Sequence, residues 1–461
     1  MSIITELVRN ILRVSFQSFD ASVVDRARDR IIDVVGCIIG GANASGNSTL
    51  IDLVKGWGGK KEGIILVHGI KVPVHDAAMV NSVMSRSYDF EPAGPLVEGK
   101  STPAHLSGTT VPTAVTVAEE RAASGKDLLT ALILGDDLAS RIIAASNLNI
   151  DSGFDCTGTV NAFGATAIAG RLLGLDEQQM THAFGIVLNQ LAGTFQNIFD
   201  GAHSFKLPQG LAARAGIFSV ALAARGFTGV KDPLLSRYGY FSLYCKSYQL
   251  DVLTRNLGKE FYADNTCKPY PCCRSNHAAI DCVLDLVHAH TIRPEDVDEI
   301  IVDITPTARD FAIGQPFKIR EVPQIDAAFN LQYNVANALL RKNVKLDHFT
   351  EEFIRDPRIM EIVPKIRLTA TMPMEKPLGA GVTIKMKQGR EYEKTVDMPK
   401  GNGVLTPLTP AEKRAKFFDN VAFSKTISPD KAEKALNLLE RIEEVDNVAK
   451  VIRLLVAHRI R

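Results

Sequence analysis

Four stretches of the chain gather side chains suited to acid–base or anion chemistry. In Lys268-Pro-Tyr-Pro-Cys-Cys-Arg274-Ser-Asn-His277, three basic groups lie within ten residues and two prolines fix the backbone between them. Arginine grips a carboxylate with two parallel N–H bonds, and lysine acts as a point charge. Converging Lys268, Arg274 and His277 would make an anion pocket; the same stretch also reads as a linker between domains. His203-Ser204-Phe205-Lys206 stands just before Gly210-Leu-Ala-Ala-Arg214. A cation beside the free N–H groups of a helix start suits a carboxylate, although a solvated lysine at a helix entry has the same sequence. Asp89 and His105 flank a segment rich in glycine and proline. Histidine titrates near neutrality and can serve as acid or base; the plainer reading is an exposed loop histidine and a helix-terminal aspartate. Tyr333, in Asp326-Ala-Ala-Phe-Asn-Leu-Gln-Tyr333, could donate a hydrogen bond or simply fill a core. Cys272 and Cys273 could be thiol nucleophiles, but the sequence offers them no preferred histidine partner.

Other chemistries leave no trace. The GxGxxG and HExxH patterns are absent, the GxxxxGK[ST] letters of Gly94 to Ser101 fall inside a Gly- and Pro-rich loop segment that opens no helix, and no CxxC pair points to zinc or an iron–sulfur cluster. No cofactor and no metal are expected. The chain balances 53 basic against 52 acidic residues, a formal net charge of +1. That gives no reason to expect nucleic acid or a membrane surface as partner, so any attraction for an anionic substrate must be local to a pocket. Seven scattered cysteines suggest reduced thiols and a cytoplasmic setting. The opening MSIITELVRNILRVSF is interrupted by charges and reads as a packed helix, not a signal peptide. No apolar run of about 18 residues predicts a transmembrane span.

The elements that must position these groups change character along the chain. At 461 residues, two domains are the natural expectation. Helical periodicity predicts helices over 22–39 after Asp20, 75–89 after Pro73, 112–124, 127–145, 160–173, 176–193 and 211–225. Alanine and glycine crowd these segments, which predicts closely approaching helices. Residues 90–103 read as a loop. Near Cys267 the pattern becomes mixed: strands are predicted at 298–305, 369–372, 380–387 and 392–396, the last two paired across Gln388-Gly389, with helices at 276–290 and 326–341 between. From Thr409 the tail returns to helix. The expected fold class is mainly α. A large all-helical domain over 1–267, completed by 405–461, would carry a smaller α+β lid over 268–404.

Taken in order, these pieces resemble the MmgE/PrpD family over roughly residues 5–450. The resemblance rests on Arg30-Ile-Ile-Asp33-Val-Val-Gly36, on Ala77-Ala-Met-Val-Asn81 leading to Asp89-Phe90, and on His105-Leu-Ser-Gly108. It continues through Gly153-Phe-Asp-Cys-Thr157, Arg171-Leu-Leu-Gly-Leu-Asp176, Gly210-Leu-Ala-Ala, Gly226-Phe-Thr-Gly229, Lys268 to His277, and Phe329 to Tyr333. The family includes 2-methylcitrate dehydratase, cis-aconitate decarboxylase and iminodisuccinate epimerase. The resemblance implies a homodimer with a cofactor-independent site between a helical domain and a lid, acting on a small polycarboxylate. Asp89, His105, Lys206, Lys268, His277 and Tyr333 would face the substrate. Three departures stand out: Glu91 follows Asp89-Phe90 before a longer loop to His105; Asp155 replaces a usual histidine; and Lys206 lies four residues before Gly210, with His203 able to share its role.

The expected reaction is dehydration of a 2-methylcitrate-like hydroxy acid. His105 would move the proton with Asp89 orienting it. Lys268, Arg274 and Lys206 would hold carboxylates, and His277 and Tyr333 would serve the departing hydroxyl. An epimerase using two bases, one supported by Asp155, and a cis-aconitate-type decarboxylase are the alternatives. A carboxylate-binding protein without turnover is the non-enzymatic one.

Overall fold

Every side chain of helix Val74–Arg86 from Asp76 onward is buried. A helix buried all round must be enclosed by others. The computed structural model, which describes residues 2–148 and 153–457, packs it against helices Ala21–Gly41, Ser107–Glu120 and Leu207–Ala223. Helix Cys156–Leu173 in turn packs on Leu207–Ala223 and on Gly125–Ala145. The small residues have a steric reason: a Cβ on Gly41 would stand 2.0 Å from the Met84 carbonyl oxygen. Only glycine lets the first of these helices approach Val74–Arg86 so closely. Residues 149–152, and 458–461 at the end of the expected helical tail, lie outside the described residues.

The protein is mainly α, yet the helical part is not all-helical. Among the described residues three small antiparallel sheets decorate it, pairing Gly63–Ile65 with Ile70–Val72, Ala93–Val97 with Lys100–Ser101 and Asp264–Thr266, and Ser146–Leu148 with Cys245–Tyr248. The second corrects the loop expected at 90–103. Its glycines and prolines shape a hairpin, with Gly94 and Gly99 at φ of 71° and 78°.

The mixed part carries a four-stranded sheet in the order Glu391–Val396, Ala380–Met386, Val297–Asp303, Ile366–Thr369. The last pair is parallel and the others antiparallel. Val297, Ile300 and Val302 face inward, on the side covered by helix His277–Ala289. Two boundaries differ from the sequence reading. The strand expected at 369–372 lies earlier, at Ile366–Thr369, where Ile366 is buried. The helix expected over 326–341 is broken into Pro323–Ala328 and Leu331–Arg341, because Asn330 caps the second by accepting from the Tyr333 N–H.

Helices Pro410–Ser424 and Pro429–Leu439 return to pack on helix Ala21–Gly41. Phe417, Val421, Leu436 and Leu439 join the same core as Ile31 and Val35. Among the described residues no helix is long and apolar enough to cross a membrane, and all seven cysteines are free thiols.

Candidate active site

The turn that follows helix Val74–Arg86 alternates ring and acid: Tyr88, Asp89, Phe90, Glu91. Tyr88 and Phe90 join the apolar core of the mixed part. The two acids are buried at 1% and 0% exposure. Asp89 adopts a φ of 49°, a left-handed conformation that costs a non-glycine residue about 1–3 kcal/mol. Buried carboxylates must be paired, and Arg86 pairs both. Its Nη1 bonds Asp89 Oδ1 and lies 2.6 Å from Glu91 Oε1. Lys268, fully buried, donates from Nζ to the Asp89 carbonyl at 2.6 Å and lies 3.0 Å from Asp89 Oδ2. From helix Leu207–Ala223, Gln209 Nε2 donates to Glu91 Oε1 at 3.1 Å.

His105 completes the cluster. Its Nδ1 is 3.0 Å from Glu91 Oε1 and 3.0 Å from Arg86 Nη1. An Nη1 group has two hydrogens, and the two carboxylates take them. The histidine Nδ1 is therefore the donor to Glu91, which leaves the Nε2 lone pair free to act as a base. The His105 side chain keeps 21% exposure while those of Asp89, Glu91 and Lys268 are at 1% or below, so the imidazole is the member that reaches outward. Its backbone is held as well: Asn161 donates to the His105 carbonyl at 2.7 Å, and Asp264 accepts from the Leu106 and Ser107 N–H groups at 2.9 and 2.7 Å.

The electrostatics favour a neutral imidazole. Burial, then Arg86 and Lys268, push the His105 pKa below its ordinary 6.5, and Glu91 pulls it partly back. For Glu91 burial works to raise the carboxyl, but Arg86, His105 and Lys268 outweigh it and hold it well below the usual range. Arg86 is pushed down by burial and raised on balance by Asp89, Glu91 and Asp155, so it stays charged.

Asp89, Glu91 and His105 bring donor atoms within 4.8 Å of one another, a spacing that suits a cation. Arg86 Nη1 already touches all three. A divalent ion would have to displace a buried guanidinium, so this donor set does not fit a metal.

The other expected residues fall at graded distances from this cluster. Asp155 caps helix Cys156–Leu173, accepting from the Thr157 N–H at 2.9 Å, and lies close enough to Arg86 to act on its charge. Lys206 is buried and donates to the Ser45 carbonyl and Asn47 Oδ1 at 2.7 and 2.8 Å. Asn47 continues to Ser87 Oγ at 2.9 Å, one residue from the turn. No ion pair to Lys206 occurs among the described residues, and burial lowers its pKa to about 7. His203 reaches Ser45 Oγ through Nε2 at 2.8 Å. Arg274 donates to the Lys400 and Pro399 carbonyls at 2.6 and 2.8 Å and meets His277 Nδ1 at 3.1 Å. His277, with no exposure, donates from Nε2 to the Cys272 carbonyl at 3.2 Å. Arg274 Nη1 and His277 thus satisfy one another, while Arg274 Nε is buried without a partner.

Tyr333 is not brought to the cluster. Its hydroxyl donates to the His348 carbonyl, and its ring packs against Phe317 and Phe349 in the mixed core. The cause is the break at Asn330, which sets Tyr333 on the inward face of the new helix.

Residues 5–253 match the model of the MmgE/PrpD N-terminal domain, and residues 270–444 match that of the MmgE/PrpD C-terminal domain. The chain belongs to the MmgE/PrpD family. Among curated relatives, the cis-aconitate decarboxylase-like protein oryM of Aspergillus oryzae is 23% identical, covering 98% of this chain and 97% of its own. Cis-aconitate decarboxylase of Aspergillus terreus is 23% identical, covering 94% of this chain and 92% of its own. Relative to these MmgE/PrpD matches, Arg86, Asp89, Glu91 and His105 lie in the N-terminal segment, while Lys268 falls in the short stretch between the two segments.

Arg86 and Gln209 are absent from the sequence-derived site, and Glu91 enters it only as a departure. A signal for Arg86 existed: an arginine after the run Ala77 to Ser85, which holds only Ala, Met, Val, Asn and Ser on every face, must be buried and paired, and Asp89 stands three residues on.

Proposed function

We propose that this chain is a cofactor-independent lyase that dehydrates a small 2-methylcitrate-like polycarboxylate. The single observation that carries the reading is a neutral, outward-facing His105 held by Glu91 beside buried Arg86 and Lys268. His105 Nε2 takes a proton from the carbon next to a substrate carboxylate. Negative charge then moves onto that carboxylate, where the one Lys268 hydrogen not engaged by Asp89 receives it. The adjacent C–O bond breaks, the C–C double bond forms, and the hydroxyl leaves as water after taking a proton. Lys206, with a pKa lowered to about 7, is suited to give that proton in place of Tyr333. In this reading residues 1–267 with 405–461 form the body, residues 268–404 the lid, and the enzyme works as a homodimer. The seven free cysteines agree with a reducing cytoplasm.

Decarboxylation is the second reading, favoured by the two fungal relatives. There His105, after taking a proton from water at Nε2, would give it to the carbon that lost carbon dioxide. Incubation with 2-methylcitrate, citrate and cis-aconitate, followed by proton NMR and carbon dioxide trapping, separates the two. Water loss from a hydroxy acid is expected. H105N and K268M should each lower turnover by about 10²–10⁴-fold. Unchanged turnover in both removes this site.

A further inference from the structure

A second buried lysine reaches the same turn from the other end of the chain. Lys416 lies in helix Pro410–Ser424, with its side chain only 6% exposed. Its Nζ lies 2.6 Å from Asp33 Oδ1, donates to the Phe90 carbonyl at 2.8 Å, and stands 4.0 Å from the centre of the Phe90 ring. Cys267 Sγ, next in sequence to Lys268, is 4.0 Å away. Two successive carbonyls are therefore held by two ammonium groups, Asp89 by Lys268 and Phe90 by Lys416. The peptide between them joins the left-handed Asp89 to Phe90, and Glu91 follows directly. A lysine that only neutralised Asp33 would need none of the contacts to Phe90. Burial opposes its charge, but the Asp33 carboxylate outweighs it and keeps the ammonium protonated, so the donor to Phe90 persists at neutral pH.

We propose that Lys416 is a positioning residue for the reaction: it fixes the Phe90 peptide and thereby keeps the Glu91 carboxylate against His105. This rests on the reading of the His105 cluster as the active site. The strut runs from Asp33 in helix Ala21–Gly41 through the C-terminal helix to the turn. The C-terminal segment thus contributes to the geometry of the site without lining it.

The test compares full-length wild type, K416M, K416Q, the paired variant D33N/K416M and the reference H105N, on whichever polycarboxylate the wild type turns over. D33N/K416M removes both charges together and strands neither, so it is the variant expected to fold. A folded D33N/K416M should lose about tenfold to a hundredfold in kcat with KM changed far less, as expected for a displaced catalytic group. The acid limb of kcat/KM should move to lower pH, because a loosened Glu91 no longer offsets Arg86 and Lys268 at His105. Loss of stability alone would lower the amount of active enzyme and leave that limb in place. K416Q is the second arm and should show the same changes. K416R, which keeps charge and donors, should recover part of the lost kcat. Wild-type kcat and pH profile in either folded variant, with H105N inactive, overturns the proposal and leaves the site reading standing. H105N at the wild-type rate overturns the site reading, and the proposal with it.

Discussion

Replacing Glu91 by glutamine removes one charge and almost no volume from the centre of the proposed site. Glu91 Oε1 is the meeting point of Arg86 Nη1 at 2.6 Å, His105 Nδ1 at 3.0 Å and Gln209 Nε2 at 3.1 Å. Hydrogen bonds to a charged group contribute about 1.5–3 kcal/mol each. A fully stranded buried ion would cost about 3–5 kcal/mol, but Arg86 keeps Asp89. The expected loss in E91Q is therefore about 2–3 kcal/mol, read by urea unfolding. The catalytic effect follows from the imidazole. Burial, Arg86 and Lys268 all lower the His105 pKa, and Glu91 is the group that raises it. Without that carboxylate the acid limb of kcat/KM must move further below 6.5. The Nδ1 proton is left with a neutral amide oxygen, or faces the amide NH2 if the group turns over, so the tautomer that frees Nε2 is less firmly enforced. We expect a fall of about a hundredfold in kcat, within the range for losing a well-held general base.

The assay is a kcat/KM profile of wild type and E91Q from about pH 4 to pH 9, with single-turnover rates to separate chemistry from release. An upward move of the acid limb would refute the electrostatic argument. A folded E91Q with wild-type kcat would refute the assignment of His105 as the base.

R86M removes the cation shared by two buried carboxylates and should cost about 3–5 kcal/mol, measured by urea unfolding, with no soluble active enzyme at the upper end. Free Lys206 should lose its proton near pH 7, so kcat/KM for dehydration should fall on the alkaline side, and K206M should abolish that limb along with most turnover. Y333F should keep kcat within about twofold and lose about 1 kcal/mol of stability, because the hydroxyl serves the His348 carbonyl. His105, His277 and His348 are all held below 6.5, the last at about 4. Groups so depressed bind fewer protons when folded, so their contribution is complete above the unfolded value and is lost as pH falls. Urea midpoints should drop steadily between about pH 6.5 and pH 4.

The helical framework was legible because its signals are local. Asp20 and Pro73 stand at helix starts where the sequence puts them, and the Gln388-Gly389 turn joins the strands it was expected to join, with Gly389 at φ 81°. Errors came where one local signal competed with another. Glycine and proline in 90–103 mark both loops and hairpins, and pairing with Asp264–Thr266, far away in sequence, decides for the hairpin. A continuous apolar pattern over 326–341 hides the cap at Asn330, and that one side chain carries Tyr333 away from the site.

The site divides in the same way. Lys268, His105 and Asp89 could be picked out by residue type, because basic groups close together and an acid and a histidine flanking one segment are visible in the sequence itself. Arg86 could not be assigned by type alone, since most arginines are solvated. Its role depends on burial, which is a property of the whole bundle: helix Val74–Arg86 is enclosed on every side, so its last arginine has to find carboxylates nearby. The alternation of Tyr88, Asp89, Phe90 and Glu91 then follows. The rings must enter the mixed core for the acids to turn toward Arg86, and that requirement leaves Asp89 in a left-handed conformation no isolated chain would choose. The backbone strain at Asp89 and the neutral state of His105 thus have one origin, the burial of four charged groups around a single turn. A variant that relieved the strain, such as D89G, would lose the Asp89 carboxylate that shares Arg86 with Glu91, and we expect it to lose activity even where it folds.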